Sequence, residues 1–234
     1  MTSNAASTTA PTTRPLDTVV LDIDGTLVDS NYQHALAWAR AFAAAGRDVA
    51  VWRVHRAIGM GGDRLVPHLI GEEGEAELGD RIRKLWEREV DRLLDETTLL
   101  PHARDLLDRL DEARVKVVLA SSGKPEHVRR ALDLLGERDE SASAIDHVAS
   151  SGDAATKPAP DLIDKALAEV GGAEAVVIGD SVWDAQAAKR AGTRMIGVRT
   201  GGFGADELRE AGADLVVDDL AGVIEACAPL LPGR

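Results

Sequence analysis

Two aspartates, Asp22 and Asp24, stand two residues apart at the end of a short apolar run, Thr18-Val19-Val20-Leu21, and Gly25-Thr26 follow at once. In extended backbone that spacing turns both carboxylates to one side, with Ile23 opposed. Paired carboxylates on one edge suit phosphoryl transfer: one attacks phosphorus as a nucleophile, and the other protonates the leaving oxygen and then activates water. Gly25 permits the backbone to turn immediately afterwards. A carboxylate approaching a phosphate dianion is repelled, so this chemistry needs positive charge close by, and a Mg²⁺ ion held by oxygen ligands supplies it. Asp180 is the natural third oxygen source, and Asp184, one helical turn further on, can hold a metal-bound water. Lys157 offers a fixed positive charge, and Ser121 with its neighbouring amides can donate hydrogen bonds to phosphoryl oxygens. Gly25, Thr26, Ser122, Gly123 and Lys124, which flank these residues, are further candidate phosphate contacts.

The elements that must position these residues can be read from hydrophobic period. Thr18 to Ile23, Val115 to Ala120, Ala175 to Ile178, Met195 to Val198 and Leu215 to Val217 are short apolar runs, with a weaker one around Ile145 to Ala149. Ala103 to Glu112, Glu126 to Leu135, Asp161 to Val170 and Asp184 to Ala191 carry apolar residues at helical spacing. Strands alternating with helices predict an α/β fold, a doubly wound parallel sheet covered on both faces, with function at the carboxyl ends of its strands. Asp22, Asp24, Ser121 and Asp180 all directly follow strand runs, so they belong to one edge. The alternation breaks between Asp29 and Thr98, where Tyr32 to Ala45, Trp52 to Ala57, Asp63 to Ile70 and Ala76 to Leu94 read as helices. This predicts a catalytic core of residues 16–30 and 99–234 with an all-helical lid of residues 31–98 over the active edge. The Gly-rich run Ile58 to Arg64 lies in the insert and matches neither a dinucleotide fingerprint nor a P-loop. It reads as a lid loop that reaches the site on closure.

The chain has 234 residues, 44% hydrophobic and only 3% aromatic, so aliphatic side chains must build its core. Its 27 basic and 40 acidic residues leave a net charge of −13, which opposes nucleic acids and anionic membranes as partners. A small phosphorylated metabolite is not excluded, because it feels the local field. Residues 1–15, rich in Thr, Ser and Ala, read as a disordered tail without the apolar segment of a signal peptide. No long apolar run predicts a membrane span. A single cysteine, Cys227, permits no internal disulfide and fits a reducing, cytoplasmic setting. A monomer or a homodimer is expected.

Four motifs in order resemble the haloacid dehalogenase superfamily: Asp22-Ile23-Asp24-Gly25-Thr26-Leu27-Val28-Asp29-Ser30, Val117-Val118-Leu119-Ala120-Ser121-Ser122-Gly123, Thr156-Lys157-Pro158-Ala159-Pro160-Asp161, and Val177-Ile178-Gly179-Asp180-Ser181-Val182-Trp183-Asp184. The resemblance implies a Rossmann-like core with a helical cap, Asp22 as nucleophile, Asp24 as acid/base, Ser121 as phosphate donor and Lys157 as charge stabiliser. It implies metal ligation by Asp22, the Asp24 backbone carbonyl and Asp180. Asp24 favours phosphoester chemistry, since a departing halide needs no proton. By pattern the chain is similar to the phosphoglycolate phosphatase and β-phosphoglucomutase group. His34 falls where the mutase has a cap-linker histidine, but Gly62 stands where the mutase has a phosphate-gripping arginine, with Arg64 near and displaced. These features predict hydrolysis of a small phosphomonoester through an aspartyl-phosphate, with a sugar-phosphate phosphomutase as the alternative. A phospho-accepting signalling module is disfavoured by the helical insert and by the length of the chain.

Overall fold

The computed structural model describes residues 15–137, 143–152 and 154–232; residues 1–14 of the expected tail lie outside these. In chain order the elements begin with β1 (Thr18–Leu21), β2 (Val28–Asp29), α1 (Asn31–Ala44), α2 (Val51–His55), α3 (Gly62–Leu93) and β3 (Thr98–Leu99). They continue with α4 (Ala103–Glu112), β4 (Lys116–Ala120), α5 (Pro125–Leu135), β5 (His147–Ala149), α6 (Asp161–Val170) and β6 (Ala175–Gly179). The last are α7 (Val182–Ala191), β7 (Arg194–Val198), α8 (Ala205–Ala211), β8 (Leu215–Val217) and α9 (Leu220–Cys227).

Six strands form one parallel sheet in the order β5-β4-β1-β6-β7-β8. Strand β1 lies between β4 and β6, and chain order reverses there, so the crevice at a topological switch point opens beyond Leu21. Alternation along the strands assigns the two faces. Val19, Leu21, Val117, Leu119 and Ile178 pack with α4, α5 and α9. Val20, Val118, Val177 and Met195 pack with α6, α7 and α8. Both faces are almost wholly aliphatic, as the scarcity of aromatics requires, with Phe203 the one aromatic among the described buried residues of the two clusters. Glycines in the left-handed region end α5 at Gly136, α6 at Gly171 and α7 at Gly192.

Helices α1 to α3 form a helical cap with its own core, in which Trp38, Phe42, Leu65, Ile82 and Trp86 meet. Two features differ from expectation. The two helices expected at 63–70 and 76–94 are joined as α3, which kinks at Gly71 with φ 76° and ψ 170°, a conformation that strains any other residue. The passages into and out of the cap are paired as the antiparallel β2 and β3, which are too short to leave a period in the sequence.

Cys227 ends α9 inside the core, far along the chain from the polar edge, and burial pushes its thiol up to about 11. At about pH 8 only about a thousandth of it is thiolate. Iodoacetamide labelling is therefore expected to be very slow in the native protein and to become fast in denaturant; rapid labelling of the native chain would contradict this packing.

Candidate active site

The site gathers where β1, β4 and β6 end. Asp22 follows β1, and its amide donates to Ile178 O at 2.9 Å, which continues the sheet one residue past the strand. Ser121 follows β4, and its amide donates to Ala149 O at 3.0 Å. Asp180 follows β6, and Asp184 lies in the first turn of α7. Lys157 comes from the loop before α6 and is 2% exposed.

Lys157 Nζ bonds Asp22 Oδ1 and lies 2.6 Å from Asp184 Oδ1. The other oxygen of Asp184 closes a capping box at the start of α7, accepting the Ser181 amide at 3.1 Å. Asp184 is thus both an early-helix cap and a site carboxylate. Asp180 Oδ1 accepts Thr26 Oγ1 at 3.1 Å, and its Oδ2 accepts Asn31 Nδ2 at 2.8 Å. A side chain at Gly201 would collide with Asp180 Oδ2, and one at Gly25 would lie 2.6 Å from it, so two glycines make room for this carboxylate.

Carboxylate oxygens of Asp22, Asp180 and Asp184 lie within 4.8 Å of one another, all buried. Burial pushes Asp22 up to about 7 in spite of Lys157. Burial, then Asp184 and Asp22, hold Asp180 well above the carboxylate range. Burial opposes the charge on Lys157 too, but Asp184 and Asp22 outweigh it and keep the ammonium firmly protonated. Three carboxylates against one cation leave the cluster short of positive charge. An all-oxygen set of this kind could hold a hard divalent metal ion.

Asp24 faces a different environment. Its Oδ1 accepts Ser30 Oγ at 2.5 Å and meets His34 Nε2 at 3.1 Å. Burial raises its pKa, but the charge of His34 and the bonds from His34 and Ser30 outweigh burial and hold it well below the usual range. The Asp24 carboxylate stands outside the acidic cluster. Among the other sequence candidates, Ser121, Ser122, Gly123 and His34 line the same cleft as Asp22 and Asp24. Ser121 Oγ accepts the Gly123 amide at 2.9 Å, and Ser122 Oγ accepts the Lys157 amide at 3.3 Å. Gly25 and Thr26 instead shape and hold Asp180. Lys124 and Arg64 do not line the cleft: Lys124 bonds Glu87 of α3, and the exposed Arg64 lies 3.7 Å from Asp63. Arg64 falls on the outward side of the first turn of α3, whereas Leu65 and Val66 point inward.

The cap closes the cleft with Trp38, Trp86, Ile58 and Met60, leaving about 50 Å³, room for a few waters. Its glycine loop sits against the core. A Cβ at Gly59 would lie 2.5 Å from Ser181 Oγ, and one at Gly61 would lie 2.5 Å from Thr156 Cγ2. Thr156 Oγ1 donates to Asp63 Oδ1 at 2.5 Å, and Trp183 Nε1 donates to Arg56 O at 3.1 Å. Sequence reasoning missed Ser30, Asn31, Gly201 and the tryptophans. Ser30 closes the first motif and Asn31 adjoins it, and three of the chain's four tryptophans fall in the insert, Trp38 and Trp86 among them, which was an available signal.

A family model for haloacid dehalogenase-like hydrolases matches residues 16–192, and the chain belongs to this family. It is similar to a phosphoglycolate phosphatase of Pseudomonas savastanoi pv. phaseolicola (strain 1448A / Race 6), at 30% identity over 219 residues, 89% of this chain and 79% of the relative. It is also similar to a validoxylamine A 7'-phosphate phosphatase of Streptomyces hygroscopicus subsp. limoneus, at 27% identity over 87% of this chain and 94% of the relative. The crystal structure of a hydrolase from Pseudomonas syringae matches with a TM-score of 0.85 at 32% identity, covering 92% of this chain and 99% of that one. No helix among the described residues is long and apolar enough to cross a membrane.

The charge deficit gives a test. Asp22 has a native pKa of about 7 against an ordinary 3.8, so its contribution to stability is present below 3.8 and is lost as pH rises through about 7. A divalent cation must displace its proton at about pH 6 but not at about pH 8. Added divalent cation is expected to raise Tm more at about pH 8, and Gly201→Ala, which crowds Asp180, is expected to lose most of that rise. An equal rise in both proteins would separate cation binding from Asp180.

Proposed function

We propose that the chain is a Mg²⁺-dependent phosphatase that hydrolyses small phosphomonoesters through a phosphorylated Asp22. The observation that carries this reading is the placement of Asp22: buried at the switch point, bonded to Lys157, and lining one cleft with Asp24 and Ser121. The phosphatase names of the relatives support it. Asp22, Asp180 and Asp184 would hold the metal, with the Asp24 carbonyl as a further oxygen donor. Bound there, Mg²⁺ would supply the positive charge that three carboxylates and one lysine lack.

Lys157 holds the Asp22 carboxylate in place and offsets its charge. An Asp22 oxygen forms a bond to phosphorus as the ester P–O bond breaks. Asp24 gives its proton to the departing oxygen. A phosphate dianion beside Asp24 raises its proton affinity, which offsets the pull of His34 and Ser30. Water then attacks the aspartyl-phosphate, losing its proton to Asp24, and phosphate leaves as the Asp22 carboxylate returns. The Ser121 hydroxyl and nearby amides hold phosphoryl oxygens. The mutase reading is weakened because, among the described residues, no arginine or lysine lines the cleft to grip a second phosphate. The receiver-module reading is weakened by the helical cap over the site.

Two variants test this reading. With p-nitrophenyl phosphate and Mg²⁺, Asp22→Asn is expected to lose at least about a thousandfold in kcat; turnover equal to the native enzyme would remove Asp22 as nucleophile. Asp24→Asn is expected to lower kcat about a hundredfold or more while keeping the Mg²⁺-induced rise in Tm. Loss of that rise would make Asp24 primarily a metal-site residue.

A further inference from the structure

The cap side of the cleft is largely apolar. It is built from Trp38 and Trp86, whose rings stack at 4.6 Å, together with Ile58 and Met60. The cations around it are already paired. His34, which itself lines the cleft, is on Asp24, and Lys124 stands 5.9 Å from the Trp86 ring centroid. Lys157 is on Asp22 and Asp184, Lys124 is on Glu87, Arg64 is beside Asp63, and Arg83 is paired with Glu75 and Asp80. His127, edge-on to Trp86 at 5.3 Å, is pushed down by burial and then by His34. A carboxylate on the substrate's leaving group would thus be desolvated against indole rings and would have to compete with Asp24 for His34. Among the described residues lining the cleft, one buried side-chain polar atom lacks a hydrogen-bond partner: the indole nitrogen of Trp86. A buried N–H donor without an acceptor is costly, and an acceptor on a ligand would relieve it.

Resting on the phosphatase reading, we infer that the preferred substrate is the phosphomonoester of a neutral, hydroxyl-bearing alcohol, and that Trp86 sets this preference by donating its indole N–H to a substrate oxygen. The carboxylate-bearing phosphoglycolate named for one relative is then a poor substrate here.

Three esters of similar length separate the terms: glycerol 3-phosphate, propyl phosphate and phosphoglycolate. With Mg²⁺, kcat/KM for glycerol 3-phosphate is expected to exceed that for phosphoglycolate by at least about tenfold. Equal or better use of phosphoglycolate would overturn the inference, and would place its carboxylate on the amides of the first turn of α3. Calorimetric binding of the same esters to Asp22→Asn, with Mg²⁺, is expected to show the same order. It decides the preference without turnover, so failure of the phosphatase reading would not be mistaken for failure of this one. Trp86→Phe keeps the ring and removes the donor. It is expected to lower the ratio of glycerol 3-phosphate to propyl phosphate about fivefold, chiefly through KM. An equal loss on both esters would make Trp86 a packing residue only. If that variant does not fold, the native-pocket ratios still decide the substrate class.

Discussion

One buried ammonium set among three buried carboxylates is the constraint on which the rest depends. Lys157 touches Asp22 and Asp184, and Asp180 lies beside them with Thr26 and Asn31 as its own donors. Like charges at such distances are costly in a dry interior, so each carboxylate needs a support that the fold must supply. Adjacent parallel strands bring Asp22 and Asp180 together. The capping box of α7 takes one oxygen of Asp184 and leaves the other toward the lysine. Glycines at 25 and 201 clear space for Asp180. The charge still does not balance, and that deficit is the physical reason a divalent ion fits the proposed chemistry.

Above this edge the cap has a different composition. The edge is polar, short-ranged and fixed by strand register. The cap is apolar and aromatic, with a core of its own. Asp24 lies at the boundary, on the core's first loop but bonded to His34 of α1. The acid/base candidate and the cap are therefore joined by a hydrogen bond, and the electrostatic setting of that carboxylate depends on where α1 sits.

Much of this was legible in the sequence because strand-end residues follow from period. Asp22, Ser121 and Asp180 each come directly after an apolar run, and parallel pairing leaves them no other edge. Lys157 was legible as a charge the chemistry would need, and the resemblance gave it a motif, but nothing in a loop before a proline predicts that the ammonium is buried. Arg64 and Lys124 pair with Asp63 and Glu87 and do not line the cleft. Whether a cation in or beside a helix faces a cleft or solvent depends on the helix's rotation, which spacing alone does not set. Asn31, Gly201 and Trp86 act through contacts distant in the chain, with Gly201 reaching Asp180 only after β7 has paired with β6.

The packing of Gly59 and Gly61 against Ser181 and Thr156 bears on how such caps can be exchanged. The loop that roofs the cleft is seated on the same two core loops that carry Lys157 and Asp180, at separations that leave no room for a Cβ. A cap transplanted from another member of the family would have to bring a turn equally free of side chains, or the core loops would have to change with it. Cap and core are therefore not freely interchangeable modules in this chain, and a chimaera would be limited at that seam before the choice of substrate came into play.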